Sequence, residues 1–357
     1  MRWFKFFLLS LVLLFLANCS DQPTPTEVPL STAFKKPVKP PKPPPDPEPG
    51  EALKFLSVET SYHPIVGAFT CGVEDSGNNG VGPVYCWGEN SVYSLGLGGR
   101  LKKDKSSPTD PVAGGDLLFS DVQLGQLFAC GIEDSNKDGK GPIYCWGQND
   151  HGELADGTTV RRSSPTQVAS DLEFFALDLG TFGGCALAGD AGGLGDLYCW
   201  GVWGGGGGFN PSVPTHVGTE LQFREFATNY ATICGIDASD AAWCWGANDY
   251  GQIGNGTITE MEWEPKLVSG GHTFQSLALS YPTTCGLTTV GEIFCWGDVA
   301  GEMVQEPERV DPGAGVDDMP FSAIGPGFCT LGASGQAYCW GENQYGQAGI
   351  GAASSWV

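Results

Sequence analysis

Basic residues are scarce in this 357-residue chain, with 18 Lys and Arg against 41 Asp and Glu and a formal charge of −23. Such a field repels a phosphate backbone, so nucleic acid is not an expected partner. The four histidines, His63, His151, His216 and His272, show no metal-ligand spacing, and no Cys-x-x-Cys occurs, which argues against structural zinc. Gly-x-Ser-x-Gly, a phosphate-binding Gly-x-x-x-x-Gly-Lys and His-Glu-x-x-His are all missing. Long apolar runs are nearly missing too. The one that stands out, Phe6 to Leu16 behind Arg2 and Lys5, is short for a spanning helix of about 20 residues but fits the apolar stretch of an export signal.

What the chain does have is cysteine, glycine and repetition. Of 13 cysteines, twelve form six pairs: Cys71/Cys86, Cys130/Cys145, Cys185/Cys199, Cys234/Cys244, Cys285/Cys295 and Cys329/Cys339. The second member of each pair always precedes Trp-Gly, and successive pairs start 44 to 59 residues apart. A period of that size means a propeller, solenoid or array, and aromatic and β-branched residues among 54 glycines favour strands over helices.

Three pairs are ten residues apart, and that spacing fixes a register. In CGLTTVGEIFC (285–295) a three-residue hairpin loop needs a left-handed residue at its end, and Gly291 supplies it. Gly335 does so in the last pair and Asp240 in the fourth, Asp being more tolerant of that conformation than most residues. Both cysteines then face each other across the hairpin, so an exported chain should carry six disulfides. The first two pairs are fifteen apart, which reads as the same hairpin with a longer tip.

The start of the chain resembles a bacterial lipoprotein signal. Leu16-Ala17-Asn18-Cys19 ends the apolar run, and the resemblance implies cleavage after residue 18 and lipid on Cys19. Ser20 after it fits, within that family, export to the outer membrane. Residues 19–50 read as a tether, with eleven of the 25 prolines in 21–50 and no apolar periodicity; such a tract favours extended polyproline II. Its four lysines balance its four acids, so the acidic excess belongs to residues 51–357.

Within 51–357 the units resemble regulator-of-chromosome-condensation repeats. They run from an approach strand such as FSDVQLGQLFACGI through YCWG to N-x-x-G-x-x-G-x-G, seen as NDHGELADG (149–157), NDYGQIGNG (248–256) and NQYGQAGIG (343–351). SSPTDPV (106–112), SSPTQV (163–168) or VPTHV (213–217) then closes the unit. The resemblance implies an all-β fold, a β-propeller of four-stranded blades; members of the family mostly have seven, but six units are counted here, so about six blades are expected, with seven the alternative.

Candidate sites follow from that frame. Asp134, Asn136 and Asp138 give the first half of a calcium loop, but Cys145 stands where the closing acid belongs; the competing reading is a solvated turn. The Trp-Gly tryptophans read as core. Five residues after them, Val92, His151, Tyr250 and Tyr345 sit in glycine-flanked loops, where tyrosine is a favoured interface anchor; Trp203 and Trp263 are candidates to join them. The sequence therefore predicts a monomeric, membrane-anchored scaffold of the bacterial cell envelope. It binds a protein or surface polymer and needs no cofactor unless calcium enters. The alternative is a secreted enzyme, a hydrolase or lyase, using carboxylates at the channel mouth.

Overall fold

A computed structural model of the chain describes residues 53–63, 67–99, 102–190, 193–202, 210–217, 220–229, 231–310, 319–325 and 328–341. The signal segment, Cys19, the tether, Trp203 and Tyr345 lie outside those residues.

Each cysteine pair heads one antiparallel unit of three or four strands, the third and fourth units being joined into one eight-stranded sheet by a single pair. The first holds β1 (Phe55–His63), β2 (Gly67–Glu74) and β3 (Val84–Gly88). Two isolated bridges, Tyr85 with Pro111 and Gly88 with Lys105, stand where a fourth strand would run. The second is β4 (Phe119–Leu124), β5 (Phe128–Glu133), β6 (Ile143–Gly147) and β7 (Arg162–Gln167). The third is β8 (Phe174–Leu179), β9 (Gly183–Gly189), β10 (Gly195–Gly201) and β11 (Thr215–His216). The fourth runs from β12 (Phe223–Thr228) through β13 (Thr232–Asp237) and β14 (Ala242–Asn248) to β15 (Thr259–Leu267). In the fifth, β16 (Phe274–Ser280), β17 (Thr283–Thr288), β18 (Ile293–Val299) and β19 (Glu302–Arg309) lie in order. The sixth shows β20 (Ala323–Gly325), β21 (Cys329–Leu331) and β22 (Ala337–Cys339). These are the blades of an all-β propeller, six among the described residues. Strand ladders barely cross between them: Gly195 pairs with Phe223, Gly82 with Phe119 and Gly141 with Phe174.

The predicted hairpin register holds in every blade. Cys71 lies directly opposite Cys86, Cys130 opposite Cys145 and Cys185 opposite Cys199. Cys234 faces Cys244, Cys285 faces Cys295 and Cys329 faces Cys339 in the same way. All six pairs are disulfides, with Cα atoms 4.1 Å apart in each. The strand residues Cys86, Cys199 and Cys295, each just before Trp-Gly, are buried, so their sulfurs belong to the core and take no part in any surface. The lengthened tips of the first three hairpins leave this register intact, because the added residues lie beyond the paired positions. Asp240, Gly291 and Gly335 take φ of 64°, 80° and 81° at the three short tips, the left-handed turn that the ten-residue spacing requires.

The residue after the first cysteine is glycine in four of the six pairs, for a packing reason. The phenylalanine that opens the approach strand lies over it. A Cβ on Gly72, Gly131, Gly235 or Gly286 would sit 2.5–2.7 Å from the rings of Phe55, Phe119, Phe223 and Phe274. Just after that phenylalanine, β1, β4, β12 and β16 each carry a bulge, as does β8 after Phe174; a bulge bends the strand and strengthens its twist.

The core is divided among the seams between blades. Cys130, Cys145, Ile132 and Ile143 of the second blade pack with Phe174, Leu177 and Trp200 of the third. Equivalent clusters fill the other four seams from the first blade to the sixth. Trp146, Trp200 and Trp296 are fully buried there, each removing roughly 150–250 Å² from water.

Candidate functional site: the rim and the channel

The asparagine three residues after the tryptophan of Trp-Gly builds the loop that follows. Asn90, Asn149 and Asn248 are buried, and their Oδ1 atoms accept the amides of Leu95, Leu154 and Ile253 at 3.1, 2.9 and 3.0 Å. Their Nδ2 atoms donate to the backbone carbonyls of Lys103, of Thr158 and Val160, and of Thr257. One short side chain thus closes both halves of the loop, as backbone-mimicking Asn turns do.

The next blade caps that loop. The indole Nε1 of Trp146 donates to the Ser94 carbonyl, that of Trp200 to Glu153 and that of Trp296 to Gln252, at 3.0, 2.9 and 2.9 Å. The second glycine of the motif lies under the same rings. A Cβ on Gly96 or Gly254, both at positive φ, would come within 2.7 Å of Trp146 or Trp296. The N-x-x-G-x-x-G motif is therefore a stitch between neighbouring blades.

With the loop fixed, its fifth-position side chain is held against the first turn of the following blade. His151 packs edge-on to Phe182 with centroids 5.8 Å apart, and Tyr250 meets Tyr281 the same way at 6.2 Å. Tyr250 is 36% exposed and Tyr281 45% exposed, so the fourth-to-fifth seam presents an aromatic pair to solvent. Val92, the equivalent in the first blade, is buried and offers nothing to a partner. Trp263 is 62% exposed. It lies on β15, the outermost strand of its blade, within a register shift between Cys244 and Gly246 that pushes it out of the ladder. Phe182 and Tyr281 sit in short turns without a motif, so nothing in the sequence signals them.

Inside the rim, Tyr281 stands at the edge of a cavity of about 630 Å³. The cavity is lined by the innermost strands β1, β4, β8, β12 and β16 with their turns, and Glu59 and Asp178 belong to its wall. Asp121 lies beside them, bonded to Gln123, another lining residue. Glu225 is the fourth acid of the inner strands. Burial, first of all, raises the proton affinity of all four. For Asp178 the value reaches about 7, with the Glu59 and Asp121 charges adding to the burial. Asp178 is only half-buried by area, but the surface it keeps faces this channel rather than open solvent.

Two of these acids have structural duties. Inner strands are sheet edges, and their outward amides need acceptors. Asp178 accepts the Thr228 amide of the next blade at 2.7 Å, and Glu225 accepts that of Leu277 at 3.2 Å.

The lengthened tip of the second blade is a turn. Asp134 is buried and accepts the amides of Asp138 and Gly139, both at 3.0 Å, while Asn136 and Asp138 are exposed. Of the three expected calcium ligands, Asp134 already spends its carboxylate on backbone amides of the tip. Among the described residues no three His, Cys, Asp or Glu side chains gather to hold a metal.

A family model described as the Regulator of chromosome condensation (RCC1) repeat matches residues 140–178 and 239–285. The chain is 24% identical over 302 residues to the human E3 ubiquitin-protein ligase HERC2. That match spans 76% of this chain but only 6% of HERC2, a small part of its length. It is 26% identical to the Arabidopsis thaliana Ultraviolet-B receptor UVR8 over 81% of this chain and 68% of that one. Among solved structures, human WBSCR16 superposes with a TM-score of 0.69 at 20% identity, covering 85% of this chain and 80% of its own. Prp20p from Saccharomyces cerevisiae does so with 0.64 at 17%, over 81% and 73%.

Proposed function

For a chain made of RCC1 repeats and wound into a propeller, we propose a role as a protein-binding scaffold that meets its partner through the rim of asparagine loops. The observation that carries this is the exposed pair Tyr250 and Tyr281, locked edge-on at the mouth of the channel. Aromatic side chains held rigid at a seam lose little freedom on binding, which is what interface anchors need. His151 with Phe182 repeats the arrangement two blades earlier and widens the contact surface. The formal charge of −23 favours a partner with a basic face and speeds its encounter. Prp20p, similar in fold, has been described for its binding to Gsp1p and histones, and yeast RCC1 for its complex with Kap60. Those are proteins met by a propeller, in keeping with a scaffold rather than an enzyme.

In this reading the chain is a monomer of the bacterial cell envelope, held by lipid on Cys19 with residues 20–50 as spacer, and its partner is a protein or surface polymer. The support is the sequence Leu-Ala-Asn-Cys after an apolar run, together with six disulfides that need an oxidising compartment. The inner-strand acids do not favour the enzyme alternative, because Asp178 and Glu225 are engaged with backbone amides.

Capture from an envelope extract on the immobilised full chain tests the rim. Tyr250→Ala combined with Tyr281→Ala should lower recovery of the captured partner at least about tenfold, the effect of losing roughly 1.4 kcal/mol. Equal recovery on both surfaces removes the rim from the proposal.

A further inference from the structure

The seams between blades repeat one pair of faces. On the later blade the face is the inner-strand residue that pairs with the position after the first cysteine: Val122 opposite Gly131, Leu177 opposite Ala186, Phe226 opposite Gly235 and Leu277 opposite Gly286. These four are at most 8% exposed, and each shares a cluster with the disulfide of the preceding blade. Val58 holds the same place in the first blade, opposite Gly72, yet is 51% exposed. The sixth blade bares the other half of the pattern. Leu331, two residues after its first cysteine, is 42% exposed, whereas Val73, Ile132, Leu187, Ile236 and Leu287 are buried at that position. Cys329 and Cys339 are half-buried, while the other ten bridged cysteines are at most 1% exposed.

The tryptophans show the same gap. The loops at 90–98, 149–157 and 248–256 end beneath Trp146, Trp200 and Trp296 of the next blade. Trp87 packs on Phe55 as Trp146 does on Phe119, but it is half-buried, and its indole donates to no carbonyl among the described residues. One more copy of the motif is present, NQYGQAGIG at 343–351, directly after Trp340-Gly341 of the sixth blade. In a ring, the blade that follows the sixth is the first. We propose that residues 343–351 dock on the first blade beneath Trp87 and make the seam that closes the ring.

The repeat assigns the contacts. Gln347 holds the place of Ser94, Glu153 and Gln252, so its carbonyl is the acceptor for the Trp87 indole. Gly349 holds the place of Gly96 and Gly254, where an added Cβ would come within 2.7 Å of the capping ring. Ala348 stands for Leu95, Leu154 and Ile253, which are fully buried in their seams. With the loop in place, Val58 and the Cys329–Cys339 bridge become two walls of one cluster, as Val122 and Cys71–Cys86 already are. Apolar surface leaving water drives the docking, as it does in the other seams. A second copy of the chain is the poorer cover: a tethered segment has the higher effective concentration, and a formal charge of −23 repels its own kind. Docking also brings Tyr345 to the loop position that His151 and Tyr250 hold in theirs. The closure itself rests on the seams and not on the rim reading.

The sixth disulfide reports on this seam. Reduction of each bridge in the oxidised full chain by a small thiol is followed by alkylation and peptide mass mapping. Trp87→Ala and, separately, Gly349→Val should each speed reduction of Cys329–Cys339 at least about tenfold, since a seam weakened by roughly 1.4 kcal/mol opens that much more often. Trp87 belongs to the first blade, so a purely local role for it leaves the sixth bridge untouched. An unchanged rate in either variant overturns the docking. Protection of the sixth bridge that grows with protein concentration overturns it too, because a second chain is then the cover. If Trp87→Ala does not fold, Trp87→Phe keeps a ring on Phe55 and removes the donor, with the same acceleration expected and the same result fatal. None of these readouts needs a partner, so failure here leaves the rim reading standing.

Discussion

The indole of Trp200 and the carbonyl of Glu153 meet at 2.9 Å across the seam between the third and second blades, and both groups are buried. The bond joins two blades that share almost no strand pairing, so the seam depends on it and on the apolar cluster around it.

Trp200→Phe keeps most of the apolar ring and removes the donor. Leaving the Glu153 carbonyl without its partner should cost about 1–3 kcal/mol, and Trp200→Ala about 3–5 kcal/mol. Urea midpoints read both. A loss within a few tenths of a kcal/mol for the phenylalanine variant would show that water serves the carbonyl equally well.

Gly254 and Gly77 separate backbone strain from crowding. Their φ values are +73° and +74°, but a Cβ on Gly254 meets Trp296 at 2.7 Å and one on Gly77 meets nothing within 4 Å. Gly77→Ala should therefore cost the left-handed penalty alone, about 1–2 kcal/mol, and Gly254→Ala a further 1–3 kcal/mol or so. Equal losses would place Trp296 further from the loop than the structure has it.

The disulfide Cys234–Cys244 spans ten residues, for which loop-closure entropy gives roughly 2–3 kcal/mol. Replacing both cysteines by alanine should lower unfolding stability by about that amount without altering the other five bridges. Because both are fully buried, a reductant should reach them only after the seam opens. Reduction of the native protein as fast as that of the unfolded chain would contradict their burial.

These predictions mix what is legible in the sequence with what is not. The cysteine register is legible because a ten-residue spacing, as from Cys285 to Cys295 with Gly291 between, allows a single hairpin geometry. The asparagine motif is legible as a pattern only. Its purpose, to hold the Ser94, Glu153 and Gln252 carbonyls under indoles 44 to 52 residues away, is a contact that spacing does not encode. The register shift in which Trp263 lies is not legible in EMEWEP, whose residues give no sign of where the ladder breaks. The channel acids are hidden for a related reason. An Asp or Glu on a strand reads as a solvated face, and only the ring of blades makes the inner edge of β8 a poor place for charge.

Asp134 yields a prediction about metal. Its carboxylate already accepts two amides at 3.0 Å, so chelator should leave the melting temperature unchanged. Asp134→Ala should lower stability by about 1–3 kcal/mol by orphaning those amides. A chelator-dependent shift would return calcium to this tip.

Among the described residues every covalent crosslink joins cysteines 10 to 15 apart, and none links one blade to another. Oxidation can accordingly be finished hairpin by hairpin, before any ring exists, and no long-range mispairing between blades has to be undone afterwards. Among the described residues the blades are joined to one another only by noncovalent contacts, the hydrogen bonds and apolar clusters of the seams. A fully oxidised chain can thus lose its seams while its individual hairpins stay crosslinked.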